Sequence, residues 1–228
     1  MMRLSLFVLT VLIITTSCSN QYRRYQTSAY EELENQHNIL AVLPVETLMT
    51  GRISHEMSDK QIEAIEMAES KAFQVALYDQ LARRSGSRRG EIRVNFQHYS
   101  QTNALLQEAG ISYKDAQTMA PGKLAEILQV DAVVRTRVQK EKYLTDLESF
   151  GIQLAQNIAF LTNRTNFGIF ASSRTSDVLV SISTLDTNTG VPTWTLEQDC
   201  PTFWNKRTAE IIEDITVWTA RRFPYRNQ

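Results

Sequence analysis

Apolar residues crowd the start of the chain and then recur in short periodic groups. Leu4 to Ile14 is an eleven-residue stretch broken by Ser5 and Thr10, well below the roughly 20 residues that a membrane-spanning helix needs. Ile39 to Val45 is apolar without helical spacing and contains Pro44, which predicts a buried, central strand. Ser58 and Gln61 form a capping box ahead of Ile62, Ile65, Ala68, Ala72, Phe73 and Ala76, so a helix is expected to about Arg84. Ser and Gly interrupt the pattern over 83–90, a loop, and Ile92, Val94 and Phe96 then alternate as in a half-buried strand over 91–96. Ser100 is placed to cap a helix carrying Leu105 and Leu106 and stopped by Gly110, and Pro121 to open another carrying Leu124, Ile127 and Leu128.

From Asp131 a long strand is expected, with Ala132, Val134, Thr136 and Val138 on one side and Arg135, Arg137 and Gln139 on a solvated other. Thr145 and Glu148 form a second capping box, predicting a helix over 146–161. Val178, Val180 and Ile182 alternate, Asp186 to Gly190 turn the chain, and Trp194 and Leu196 return on one face, a late β-hairpin. Ile211, Ile212, Ile215 and Trp218 share a stripe of a final helix over 208–222, with Arg221 and Arg222 at the negative end of its dipole. The pattern fits one α/β domain over 39–228, with helices packed on a mixed α+β sheet. The polar, aperiodic stretch 18–38 reads as a flexible tether.

The composition limits the chemistry. With 43% hydrophobic residues, 8 Gly and 5 Pro the chain can bury a sizeable core. Its 24 Lys and Arg against 25 Asp and Glu leave no bulk field to hold nucleic acid, and none is expected as a partner. Two cysteines and three unclustered histidines give no disulfide framework and no zinc or haem signature. Gly-rich phosphate loops, nucleophile elbows, His-Glu-x-x-His and Cys-x-x-Cys are all missing, so no catalytic residue, metal ligand or cofactor is assigned. His55, Glu56 and His98 stand alone in polar segments and read as solvent-facing. The arginines over 83–89 read as a solvated loop, with lipid head groups or glycan phosphates as the alternative ligands. Over 150–171 Arg164 is the one charge, but Gln153, Gln156, Asn157, Asn163 and Asn166 keep every apolar run too short to span a membrane. A half-buried helix or a subunit contact is expected there. Asn163 to Thr165 matches a glycosylation triplet.

Arg3, the apolar run and the small residues Thr15, Thr16 and Ser17 ahead of Cys18 have the build of a secretory signal over 1–17. With Cys18 directly behind it, the segment resembles the lipobox of bacterial lipoproteins, although Thr15 stands where Leu is usual. The alternative is an ordinary secretory signal with an incidental cysteine. The resemblance implies that Cys18 carries fatty acyl chains, palmitate among them, as the new amino terminus. Ser19, rather than Asp, implies an outer-membrane anchor facing the periplasm. Cys200 is then left as a buried small residue.

Three further features resemble a class of envelope lipoproteins that includes the curli secretion channel lipoprotein, the penicillin-binding-protein activator lipoproteins and relatives of the Tol propeller amino-terminal domain. They are the opening strand Ile39 to Val45, the segments Leu106 to Gly110 and Lys123 to Val134, and the hairpin bearing Thr189, Gly190 and Trp194. This resemblance implies an anticodon-binding-like α/β fold. It also implies a non-enzymatic accessory of an envelope export or assembly complex, whose partners are the membrane and other envelope proteins. One alternative is an oligomeric secretion-channel subunit, a homo-oligomer, whose membrane hairpin would fall between Phe160 and Ile182. A glycan hydrolase using Glu126 and Asp131 is the other.

Overall fold

The computed structural model describes residues 22–50, 58–142, 175–201 and 208–227. They form one α/β domain in which a seven-stranded mixed sheet carries helices on both faces. In chain order the elements are β1 (Tyr22–Gln26), α1 (Tyr30–Gln36), β2 (Ile39–Val42), β3 (Glu46–Thr50), α2 (Asp59–Ala82) and β4 (Asn95–Gln97). Then come α3 (Tyr99–Glu108), α4 (Tyr113–Thr118), α5 (Pro121–Leu128), β5 (Ala132–Lys142), β6 (Thr175–Asp186), β7 (Pro192–Pro201) and α6 (Thr208–Arg222). The strand order is β1-β7-β6-β5-β2-β4, with β3 also paired to β5.

The opening apolar run forms one strand, β2, which stops at Val42, and a second strand, β3, follows the run. Leu43 N–H still donates to the Val134 carbonyl at 3.1 Å, but Pro44 has no N–H to continue the ladder. β2 and β3 therefore run parallel to β5 on either side of that break. The strand expected over 91–96 is reduced to β4, because its neighbours spend their backbone groups elsewhere. Ile92 N–H donates to Arg84 O at 2.8 Å and Arg93 N–H to Tyr225 O at 2.9 Å. α2 opens on the Ser58–Gln61 capping box and buries Ile65, Ala68, Ala72, Phe73, Leu77 and Leu81. α3 starts two residues earlier than a Ser100 cap would place it, because His98 is its cap. α4 had no apolar pattern to announce it; Ser112 Oγ caps it by accepting from Asp115 N–H at 3.1 Å. The helix expected over 146–161 lies outside the described residues.

Residues 22–36, read from the sequence as tether, form β1 and α1. β1 pairs antiparallel with β7 from Tyr22↔Gln198 to Gln26↔Trp194. All five of its side chains are exposed, so backbone bonds to an edge hold it and no hydrophobic period reveals it.

The core has two parts. α2 and α6 cover one sheet face over Leu40, Val42, Ala132, Val134, Val138, Val178, Val180, Ile182, Trp194 and Leu196. On the opposite face α3, α4 and α5 enclose a smaller cluster with Ala41, Leu43, Val133 and Leu185 beneath Leu106, Ala116, Leu124 and Leu128. Each fully buried large side chain contributes about 1.5–3 kcal/mol. Among the described residues no helix is long and apolar enough to cross a membrane.

Candidate functional site

Among the described residues the second helical layer stops short and leaves part of its sheet face without a helix over it. On the face that bears Val133 and Leu185, the strands β5, β6, β7 and β1 continue beyond α3–α5. Alternation and register bring Arg135, Arg137 and Gln139 of β5 opposite Ser183, Ser181 and Leu179 of β6. These in turn stand opposite Thr195, Glu197 and Asp199 of β7, and Glu197 and Thr195 face Arg23 and Tyr25 of β1. β3 adds Glu46 and Leu48 beside Arg137 and Gln139.

The surface is polar with apolar points. Arg137 Nε reaches Glu46 Oε2 at 2.5 Å, and Ser183 Oγ lies 2.9 Å from Thr195 Oγ1. Tyr25, Leu179 and Leu48 are 52%, 48% and 36% exposed, and Leu179 is so on a strand paired on both sides. At its inner border the Arg135 guanidinium donates to the Met119 carbonyl that ends α4, and burial pulls its pKa down. The sequence foretold the solvated side of β5. It could not foretell the full extent of the face, which depends on the pairing of β1 with β7.

Asp131 Oδ2 accepts from the backbone N–H of Asn38 at 2.7 Å and of Ile39 at 2.9 Å, fastening the start of β2 to that of β5. Glu126 points to solvent on α5. His98 Nδ1 lies 2.7 Å from Ser100 Oγ, and its ring packs edge-on against Tyr78. Cys200, half-buried on β7, has its thiol pushed up to about 12 by burial and by the charges of Asp199 and Asp214, so little thiolate exists near neutral pH. His55, Glu56, the stretch 150–171 with Asn163, and Cys18 lie outside the described residues, as does most of the hairpin candidate from Phe160 to Ile182. No group of His, Cys, Asp and Glu suited to a metal occurs among the described residues.

Two buried polar clusters were not anticipated. His37 Nδ1 lies 2.7 Å from the Tyr225 hydroxyl and Nε2 lies 2.9 Å from Asp186 Oδ1, with His37 and Asp186 each 1% exposed. With the Nε2–H tautomer the histidine donates to Asp186 and accepts from Tyr225, so all three are satisfied. Asp186 Oδ2 also accepts from Thr189 N–H at 2.5 Å and Thr189 Oγ1 at 2.6 Å. Burial alone would raise the Asp186 carboxyl; the hydrogen bonds from Thr189 and His37 outweigh it and hold the pKa below the ordinary value. The cluster ties the end of α1, the β6–β7 turn and the carboxyl-terminal tail together. In the second cluster Lys140 Nζ meets Glu69 Oε2 at 2.7 Å between β5 and α2, above the Phe73 ring. Here a sequence signal existed: Lys140 continues the inward alternation Ala132, Val134, Thr136, Val138, and Glu69 sits on the apolar stripe of α2.

No protein-family model and no curated protein sequence matches the chain. Solved structures similar to it include the PelC dodecamer of Paraburkholderia phytofirmans, with a TM-score of 0.44 and 8% identity over 92% of this chain and 99% of that one. Lipoprotein GNA1162 of Neisseria meningitidis has a TM-score of 0.47 and 12% identity over 81% of this chain and 96% of that one. The LpoB carboxyl-terminal domain of Salmonella enterica has a TM-score of 0.36 and 10% identity over 76% and 96%.

Proposed function

We propose that the chain is a lipoprotein held through Cys18 in the outer membrane and facing the periplasm. Its α/β domain works without catalysis, by contact with other envelope proteins, as an accessory of an export or assembly complex. The observation that carries the reading is the sheet face that no described helix covers. It spans five strands, presents Tyr25, Leu48 and Leu179 among alternating charges, and resembles the mixed apolar and polar character of protein–protein interfaces. The titratable groups of the fold add support, since Asp131, Asp186 and His37 are occupied by bonds that hold elements together.

Mild detergent extraction of cells producing the wild-type chain or Leu179→Arg, followed by identification of co-purifying proteins, tests the reading. A defined envelope partner is expected with the wild type and is lost with the variant. Equal recovery with Leu179→Arg and with Tyr25→Ala removes this face as the docking surface. Detergent-purified rings that conduct ions would favour the channel-subunit alternative instead.

A further inference from the structure

The arginines over 83–89 are half of a larger cationic end that the fold assembles from distant parts of the chain. Arg83 and Arg84 end α2, Arg221 and Arg222 end α6, and Arg226 lies in the tail. Arg226 Nη1 donates to Gly90 O at 2.9 Å and Asn227 Nδ2 to Gly86 O at 2.7 Å, which fixes the loop carrying Arg88 and Arg89 against the tail. Arg83, Arg88, Arg89 and Arg221 are exposed, and none makes an ion pair with a described carboxylate. Glu91, the acid of the loop, instead accepts from the Arg88 backbone N–H at 2.8 Å. The like charges act on each other: burial, then Arg221 and Arg83, lower the Arg84 pKa.

This end also lies where the chain leaves for its anchor. The Arg222 guanidinium stacks 4.2 Å from the centre of the Trp218 ring and 5.1 Å from that of Tyr22, the first residue of β1. Tyr22 itself meets Trp218 edge-on at 5.5 Å and is 50% exposed. Four residue steps separate Tyr22 from Cys18, so covalent geometry allows at most about 14 Å between them. An acyl-bearing Cys18 therefore brings Tyr22, Trp218 and the arginines down to head-group level. Arginine and interfacial aromatic residues are the side chains that suit that depth.

We propose that the end of the domain formed by Arg83, Arg84, Arg88, Arg89, Arg221 and Arg222, with Tyr22 and Trp218, docks on anionic phospholipid head groups and fixes the orientation of the domain on its membrane. The orientation rests on the Cys18 anchor, whereas the recognition of anionic lipid does not. Docking on this end leaves the open sheet face free for a protein partner.

The test uses the whole mature chain from residue 18 to 228 with Cys18→Ser, so that no acyl chain contributes. Co-sedimentation is measured with vesicles of phosphatidylcholine alone and with vesicles about one-third phosphatidylglycerol. Binding is expected only to the anionic vesicles and should fade with added salt. It should weaken about 100-fold in Arg83→Gln/Arg89→Gln/Arg221→Gln, whose side chains are exposed. The charge-matched control Lys60→Gln/Lys71→Gln/Lys123→Gln should bind far more like wild type, and circular dichroism checks that both variants are folded. Equal binding to the two vesicle types, no binding, or no effect of the arginine triple overturns the proposal. Arginine-dependent binding to soluble polyphosphate without vesicle binding would reassign the patch to a free polyanion and also overturn it. An unmodified Cys18, read separately by mass spectrometry, would remove the anchor without touching this result.

Discussion

Replacing Asp186 by alanine perturbs the point at which the end of α1, the β6–β7 turn and the tail converge. The carboxylate accepts from His37 at 2.9 Å and twice from Thr189, at 2.5 and 2.6 Å, while 1% exposed. Hydrogen bonds to a charged group contribute about 1.5–3 kcal/mol net, and each buried donor left unpaired costs about 1–3 kcal/mol. His37 Nε2–H is deeply buried, whereas the Thr189 donors lie in a turn that water reaches, so a loss of about 3–4 kcal/mol is expected. For a chain of this size each kcal/mol shifts Tm by about 2–4 °C, giving a fall of roughly 6–16 °C. Asp186→Asn keeps one carbonyl acceptor and should lose less. The pH dependence has a definite sign. Because the folded carboxyl sits below the ordinary value, its contribution is complete above the unfolded pKa of about 3.9 and is lost as the pH falls through the lower, folded pKa. The acid limb of the wild-type stability curve should therefore be steeper than that of Asp186→Asn. Thermal unfolding followed by circular dichroism from pH 7 to 2.5, with His37→Ala and the double variant, measures both effects. A fall below about 2 °C in Asp186→Ala, or strict additivity with His37→Ala, would refute the assignment of a coupled buried network.

Three other outcomes follow from single residues. Leu124→Ala empties a fully buried position beneath α3–α5 and should cost about 2–5 kcal/mol in denaturant unfolding. Gln129 closes α5 with φ 55, so Gln129→Gly should raise stability by about 0.5–1 kcal/mol, measured as a higher denaturant midpoint. Cys200, with its thiol pushed up to about 12, should react much more slowly with a maleimide at pH 7.5 in the native state than after unfolding.

Elements with a strong period and a clear stop were legible in the sequence. α2 announced itself through the Ser58–Gln61 box and its apolar stripe, α5 through Pro121, and the β6–β7 hairpin through alternation around Gly190, whose φ is 73. Elements held by backbone pairing or by partners far along the chain were not. β1 has no buried side chain, and β4 is shortened because Ile92 and Arg93 bond to residues eight and more than a hundred positions away. The same division holds for the sites. The solvated side of β5 was readable from Arg135, Arg137 and Gln139, yet the breadth of the face depended on register. The 83–89 arginines were visible as a run, but only the fold brings Arg221 and Arg222 beside them. His37, Asp186 and Tyr225 could not be associated from a sequence in which up to 188 positions separate them.

Intact-mass and amino-terminal peptide analysis of the protein extracted from membranes of the cells that produce it bears most directly on the account. A chain that begins at Cys18 and carries two or three fatty acyl groups is the expected product, with all detectable protein in the membrane fraction. A mature chain with an unmodified Cys18, or one cleaved at another bond and recovered from the soluble periplasm, would contradict it.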